Sequence, residues 1–157
     1  MKKLQKALLT SKLTVACAES CTGGLVAKLL TDLPGSSRVF KGGLVTYCDE
    51  MKEGLLGVKA KTLQAYHAVS RQTAEEMAAG ALEKTRADLA VSTTGVAGPS
   101  GDDSGKPVGT VYIGLAVRTA EGIRLSAEEY HFSGSRDAVR RKAAREALRL
   151  LAEKSLP

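Results

Sequence analysis

Along this chain, short continuous apolar runs alternate with stretches in which apolar residues recur every third or fourth position, the pattern of buried strands feeding amphipathic helices. Leu4, Leu8 and Leu9 predict a helix within residues 1–12, leading into a strand that begins at Leu13-Thr14-Val15-Ala16 and ends near Ala18. Residues 25–30 predict the next helix, which Leu33-Pro34-Gly35-Ser36-Ser37 stops near Asp32. Residues 39–47 read as a second strand, where Gly42-Gly43 marks a bulge or a close backbone approach, and a short helix then ends near Gly57. Residues 62–66 predict another short helix, and Thr73-Ala74-Glu75-Glu76 resembles a capping box opening a longer one over residues 77–86. Residues 88–94 return as a buried strand. Residues 109–118 and 123–132 predict an antiparallel hairpin turning at Thr119-Ala120-Glu121-Gly122, and Ser135 is placed to cap a final helix carrying Val139, Ala143, Leu148 and Leu151. The succession implies an α/β fold, a mixed sheet covered by helices on its faces. With no internal repeat or linker, residues 1–157 read as one domain.

Composition narrows the partners. An apolar share of 43% beside 25% charged residues is ordinary for a globular protein in water, and 157 residues can build a substantial core. Aromatic residues make up 4% with no Trp, which leaves little for stacking on exposed bases, so nucleic acid is not the expected partner. The formal charge of +6 favours phosphate-bearing ligands, although the basic residues are dispersed except at Arg136-Asp137-Ala138-Val139-Arg140-Arg141-Lys142, which reads mainly as a solvated helix face. Cys17, Cys21 and Cys48 lack disulfide spacing, and His67 and His131 stand far apart, so neither a disulfide framework nor zinc is indicated. Lys12 interrupts the N-terminal apolar stretch before signal-peptide length, and no run is long enough to cross a membrane. A reducing cytoplasm is the expected compartment.

The chemistry centres on Ala16-Cys17-Ala18-Glu19-Ser20-Cys21-Thr22-Gly23-Gly24, which joins the first strand to the helix after it. Unpaired N–H groups and a positive dipole end make such a turn a natural place for an anion or a developing oxyanion, and Gly23 and Gly24 let backbone approach a ligand. A hydroxyl at a helix start is ordinarily an N-cap, so the residues alone leave Ser20 and Thr22 open to either role. The stretch from Thr94 to Pro107 is too polar and glycine-rich to pack and too long for a simple turn, which marks a functional loop. Part of it resembles a phosphate loop, but its leading glycine is one position off and Pro107 stands where a magnesium-binding hydroxyl is needed. Ser20 lies in neither Gly-x-Ser-x-Gly nor Ser-x-x-Lys, and neither histidine belongs to a motif. Lys52, which with Tyr47 flanks the second strand-to-helix junction, is the better base, provided burial or a neighbouring cation lowers its pKa. An exposed helix lysine is the ordinary alternative.

Four segments together resemble the CinA C-terminal domain family over nearly the whole chain. They are Ala18-Glu19-Ser20-Cys21-Thr22-Gly23-Gly24, Gly43-Leu44-Val45-Thr46-Tyr47 with Lys52 five residues on, Thr94-Gly95-Val96-Ala97-Gly98-Pro99, and Lys106-Pro107-Val108-Gly109-Thr110-Val111-Tyr112. The absence of another domain resembles the family's stand-alone form. That resemblance implies a three-layer α/β/α sandwich, no required metal or cofactor, and hydrolysis of the carboxamide of nicotinamide mononucleotide to nicotinate mononucleotide and ammonia in pyridine-nucleotide salvage. It implies Ser20 as nucleophile, Lys52 as general base and Tyr47 as a hydrogen-bonding helper.

Backbone N–H groups around Cys21, Thr22, Gly23 and Gly24 are then placed to hold the oxyanion, with Thr94, Gly95, Ala97 and Gly98 lining the opposite wall. Arg136 is the expected contact to the substrate phosphate, with Arg140 its rival. Glu19 is open to orienting Lys52 or the substrate ring, or to a structural hydrogen bond. The chain departs from many members at Cys48-Asp49, where they resemble Ser-Asn. Cys21 and Cys48 read either as small buried residues or as an oxidation-sensitive pair near the site. The expected partner is a small-molecule nucleotide, with no nucleic acid or membrane and with a homo-oligomer left open. The alternative is a non-catalytic ligand- or partner-binding domain of a competence- or damage-inducible system, and the intact Ser20, Tyr47 and Lys52 set favours the enzyme.

Overall fold

A computed structural model describes residues 2–32 and 34–155. The side chain of Leu4, counted in the first predicted helix, and Leu33 of the predicted turn lie outside the described residues. The elements are α1 (Lys2–Ser11), β1 (Val15–Glu19), α2 (Leu25–Thr31), β2 (Phe40–Val45), α3 (Asp49–Leu56), α4 (Ala60–Tyr66), α5 (Arg71–Thr85), β3 (Leu89–Gly95), β4 (Thr110–Thr119), β5 (Gly122–His131) and α6 (Arg136–Lys154), with a single 3-10 turn at Ser36–Arg38.

The five strands form one mixed sheet in the order β2-β1-β3-β4-β5, with β1 parallel to both β2 and β3, β4 antiparallel to β3, and β5 antiparallel to β4. Helices cover both faces, which makes the three layers. Alternation along the strands assigns the two cores. Val15 and Cys17 of β1, Leu89 and Val91 of β3, and Ile113 and Leu115 of β4 pack with α2 and α6, whereas Ala16, Ala18, Ala90 and Ala116 pack with Met77, Ala78, Ala81 and Leu82 of α5. All five residues of β1 are buried, as expected for a strand paired on both edges and covered on both faces.

Two local expectations change. The helix assigned to residues 77–86 begins earlier, because Ser70 Oγ accepts from the Thr73 N–H and caps α5 there. Glu76 is therefore no capping-box partner. It turns instead to the start of α4, accepting from the Lys59 N–H at 2.8 Å and the Thr62 hydroxyl at 2.8 Å. The bulge expected at Gly42-Gly43 is present as a register shift where Val15 pairs with Phe40 but Ala16 with Gly42. A Cβ at Gly43 would lie 2.8 Å from Cys17 Sγ, so glycine serves close packing at that position.

Candidate active site

The C-terminal ends of β1, β2 and β3 are tied together at the turn. The Ser20 N–H donates to Thr93 O at 2.9 Å and the Thr46 N–H donates to Glu19 O at 2.8 Å, so Ser20 is held where parallel strands end and ligands bind in open α/β sheets. Lys52 reaches the same point from the first turn of α3. Its Nζ lies 3.3 Å from Ser20 Oγ and 3.2 Å from Thr46 O, and Asp49 Oδ1 stands 3.8 Å away. Lys52 is 1% exposed, which overturns the exposed-lysine alternative. Burial lowers its pKa from the ordinary lysine value, while the Asp49 carboxylate opposes that shift.

Around this pair lies a cavity of about 190 Å³. Ser20, Cys21 and Lys52 form its floor, Thr94, Gly95 and Ala97 one wall, and Tyr47 and Arg136 reach it from the β2–α3 junction and the start of α6. Residues not anticipated from sequence also line it: Asp49, Ala68, Val69 and Asp102. Ala68 and Val69 come from a connection without any chemical motif, tied to the expected wall by the Thr94 hydroxyl donating to Ala68 O at 2.8 Å and by the packing of Val69 in one buried cluster with Val96. Larger grooves lie between α2 and α6 and beside the start of α5, about 350 and 400 Å³, but neither brings a buried amine against a hydroxyl.

Glu19, fully buried, is the organiser of the turn. Its carboxylate accepts from the N–H groups of Gly24 at 2.9 Å, Val26 at 3.0 Å and Ala27 at 2.8 Å, and from the Thr22 hydroxyl at 2.5 Å. A protein carboxylate thus occupies the helix start that the sequence left open to a ligand. Glu19 is committed to this structural role and contacts neither Lys52 nor the cavity.

Thr22, Gly23, Gly24 and Gly98, expected to contact substrate, do not line the cavity. Thr22 is fully buried and shares its hydroxyl between Glu19 and Thr93. Gly23 and Gly24 adopt φ of 57° and 100°, so glycine is needed for the bend itself. The Gly23 N–H is taken by Ser20 O, which leaves Cys21 and Thr22 as the turn residues whose N–H groups donate to no other residue among those described. Gly98 serves as an acceptor at the rim, taking a bond from Arg136 Nη1 at 2.6 Å.

The two arginines separate. Arg136 lines the cavity and also donates from Nη2 to the Tyr47 hydroxyl at 2.8 Å. Arg140 is spent on the turn, donating to Cys21 O at 3.0 Å and Thr22 O at 3.1 Å, and it does not line the cavity. The Tyr47 hydroxyl has no hydrogen bond to Ser20 or Lys52 among the described residues. Cys21 is buried, and burial pushes its thiol up to about 12, so it stays protonated and unreactive at neutral pH. Cys48 is exposed, contrary to the buried pair considered from sequence. Neither histidine lines the cavity: His67 ends α4, and His131 Nε2 lies 2.9 Å from Glu129. Among the described residues no group of three His, Cys, Asp or Glu is placed to hold a metal ion, and no helix is long and apolar enough to cross a membrane.

Glu19→Gln is expected to lower stability by about 2–4 kcal/mol, because an amide nitrogen would face N–H donors and leave buried groups unpaired. Urea unfolding of the purified variant measures the loss.

Comparison with known proteins agrees with this architecture. The model of the CinA C-terminal domain matches residues 1–155. A CinA-like protein of Chlorobaculum tepidum is 50% identical over 143 residues, covering 90% of this chain and 34% of that protein, so the chain spans about a third of its length. The nicotinamide-nucleotide amidohydrolase PncC of Escherichia coli K12 is 51% identical over 138 residues, covering 88% of this chain and 82% of the relative. Among solved structures, the competence/damage inducible protein CihA of Agrobacterium tumefaciens superposes with a TM-score of 0.91 at 41% identity, covering 99% of this chain and 95% of that one. A CinA superfamily protein of Klebsiella pneumoniae does so with a TM-score of 0.91 at 35% identity, covering 98% and 93%. From the matched residues, the shared sheet and the identities, the chain belongs to the CinA C-terminal domain family.

Proposed function

We propose that the protein is an amidohydrolase that converts nicotinamide mononucleotide and water to nicotinate mononucleotide and ammonia, in NAD salvage, through a Ser20–Lys52 dyad. The observation that carries the mechanism is the buried Lys52 Nζ at 3.3 Å from Ser20 Oγ on the floor of a cavity. The substrate is taken from the 51% identity to an enzyme named for acting on nicotinamide nucleotide.

In its neutral form Lys52 donates one N–H to Thr46 O and turns its lone pair to the Ser20 hydroxyl. Ser20 Oγ attacks the carboxamide carbon as its proton passes to Lys52 Nζ. The carbonyl oxygen becomes an oxyanion, for which the Cys21 N–H, at the cavity and left uncommitted by the turn, is the donor. The Lys52 ammonium returns its proton to the nitrogen of the leaving group, ammonia departs, and an ester remains on Ser20. Water then attacks that ester with Lys52 again taking a proton, which regenerates the Ser20 hydroxyl and frees the carboxylate. A cavity of 190 Å³ is smaller than the roughly 300 Å³ at which small-molecule sites usually begin, so it receives the ring end and leaves the phosphate at the Arg136 rim.

Ammonia release from nicotinamide mononucleotide by the purified protein tests the reading. Binding of the mononucleotide without any ammonia release would favour the ligand-binding domain. Arg136→Ala is expected to raise KM for the mononucleotide by about tenfold or more and KM for the phosphate-free riboside by far less, because only the former offers an anion to the guanidinium. The riboside also controls for loss of the Arg136 bonds to Gly98 and Tyr47. Equal losses for both substrates would remove Arg136 from the phosphate.

A further inference from the structure

The carboxylate in ion-pair contact with Lys52 is Asp49. It is the first residue of α3 and Lys52 the fourth, so helical spacing places both side chains on one face of the first turn. The Lys52 side chain is 2% exposed and that of Asp49 57%, and both line the cavity. Asp49 therefore stands between the buried amine and solvent. The other charged groups at the cavity are Arg136 from α6 and Asp102 from the loop after β3, and among the described residues neither forms an ion pair with Lys52. The titratable neighbours are Tyr47, exposed Cys48 at the helix start and the buried Cys21 thiol, while Ala68, Val69, Thr94, Gly95 and Ala97 bring no charge.

We propose that Asp49 is a positioning residue that acts as the counter-ion of Lys52 and sets the pH above which this lysine works as a base; the catalytic half of this rests on the Ser20–Lys52 reading. Two influences oppose one another at the amine. Burial drives its proton off, and the carboxylate 3.8 Å away holds the proton on. Asn at this position keeps the size and removes the charge. In Asp49→Asn the lysine gives up its proton at lower pH, and kcat/KM below the midpoint rises about three- to tenfold as the acid limb moves down. Because Asp49 is more than half exposed, solvent screening holds the gain near the lower figure, and added salt lowers the midpoint of the parent protein while leaving that of the Asn variant in place.

The test is a titration of the Lys52 side chain by carbon-13 NMR of lysine-labelled protein without substrate, assigned with Lys52→Arg. It is run on the parent, Asp49→Asn and Asp49→Glu, beside the pH profile of ammonia release from nicotinamide mononucleotide. The Lys52 midpoint is expected to fall in the Asn variant and return towards the parent value in the Glu variant, with the acid limb of kcat/KM moving in step. An unmoved or raised midpoint in Asp49→Asn overturns the counter-ion role, since a merely structural Asp49 alters stability or rate without moving a titration. A lowered midpoint with no ammonia released by any of the three supports the counter-ion role and discards the amidase.

Discussion

Replacing Ser20 by alanine is expected to cut kcat for ammonia release from nicotinamide mononucleotide by at least about a thousandfold, with the fold retained and substrate still bound. The division of labour within this residue is the reason. Its backbone N–H holds the turn by donating to Thr93 O, whereas its hydroxyl meets only Lys52 Nζ among the described residues. Alanine keeps the first contact and loses the second. Lys52 keeps Thr46 O and Asp49, so the buried amine is not stranded. Unfolding midpoint and binding of the mononucleotide are the accompanying measurements, and turnover near that of the parent would remove Ser20 as nucleophile.

Lys52→Arg is expected to lose activity to a comparable degree. Arginine keeps a positive charge, but with a pKa above about 12 it cannot accept the Ser20 proton, so the substitution separates a base from a fixed charge. Because the site is 1% exposed and the guanidinium is bulkier, Lys52→Met serves as the companion, matching the length of the stem without an amine. Both are expected to be inactive, and at least one to fold. The sign of the pH dependence follows from the lowered pKa. The free amine is the active form, so kcat/KM rises with pH through the Lys52 midpoint, and the depression places that rise below the range of an ordinary lysine. An unperturbed lysine at pH 7.4 is a free amine in only about one molecule in a thousand, and burial shifts Lys52 towards the free amine.

Much of this arrangement was legible in the residues. Apolar periodicity located the strands and helices, because β1, β3 and β4 are buried on the faces that their alternation marks, and the β4–β5 hairpin follows from a connection too short for any crossover. The strand-to-helix turn at Ser20 was legible for the same reason. The role of Glu19 was not, since capping rules look to a side chain at the helix boundary, while Glu19 ends β1 and reaches forward to Gly24, Val26 and Ala27. With that carboxylate in place, Thr22, Gly23 and Gly24 shape the turn, and it is Ser20 and Cys21 of this stretch that line the cavity. Burial of Lys52 was equally hidden: it follows from the packing of Asp49–Leu56 on α5, which carries the amine in to Thr46 O and Ser20 Oγ and which no local pattern encodes. Asp102, Ala68 and Val69 reach the cavity from distant connections, so only the assembled sheet shows them as neighbours.

The most direct measurement is ammonia release from nicotinamide mononucleotide in the presence of chelator, from neutral to alkaline pH. It compares the parent protein with Ser20→Ala, Lys52→Arg, Lys52→Met and the double variant His67→Gln/His131→Gln. The dyad predicts a parent activity that rises with pH through the Lys52 midpoint, no appreciable activity for the serine and lysine variants, and most of the activity retained without the histidines. An active Lys52→Arg protein, or an inactive double-histidine variant of parental stability, would contradict it.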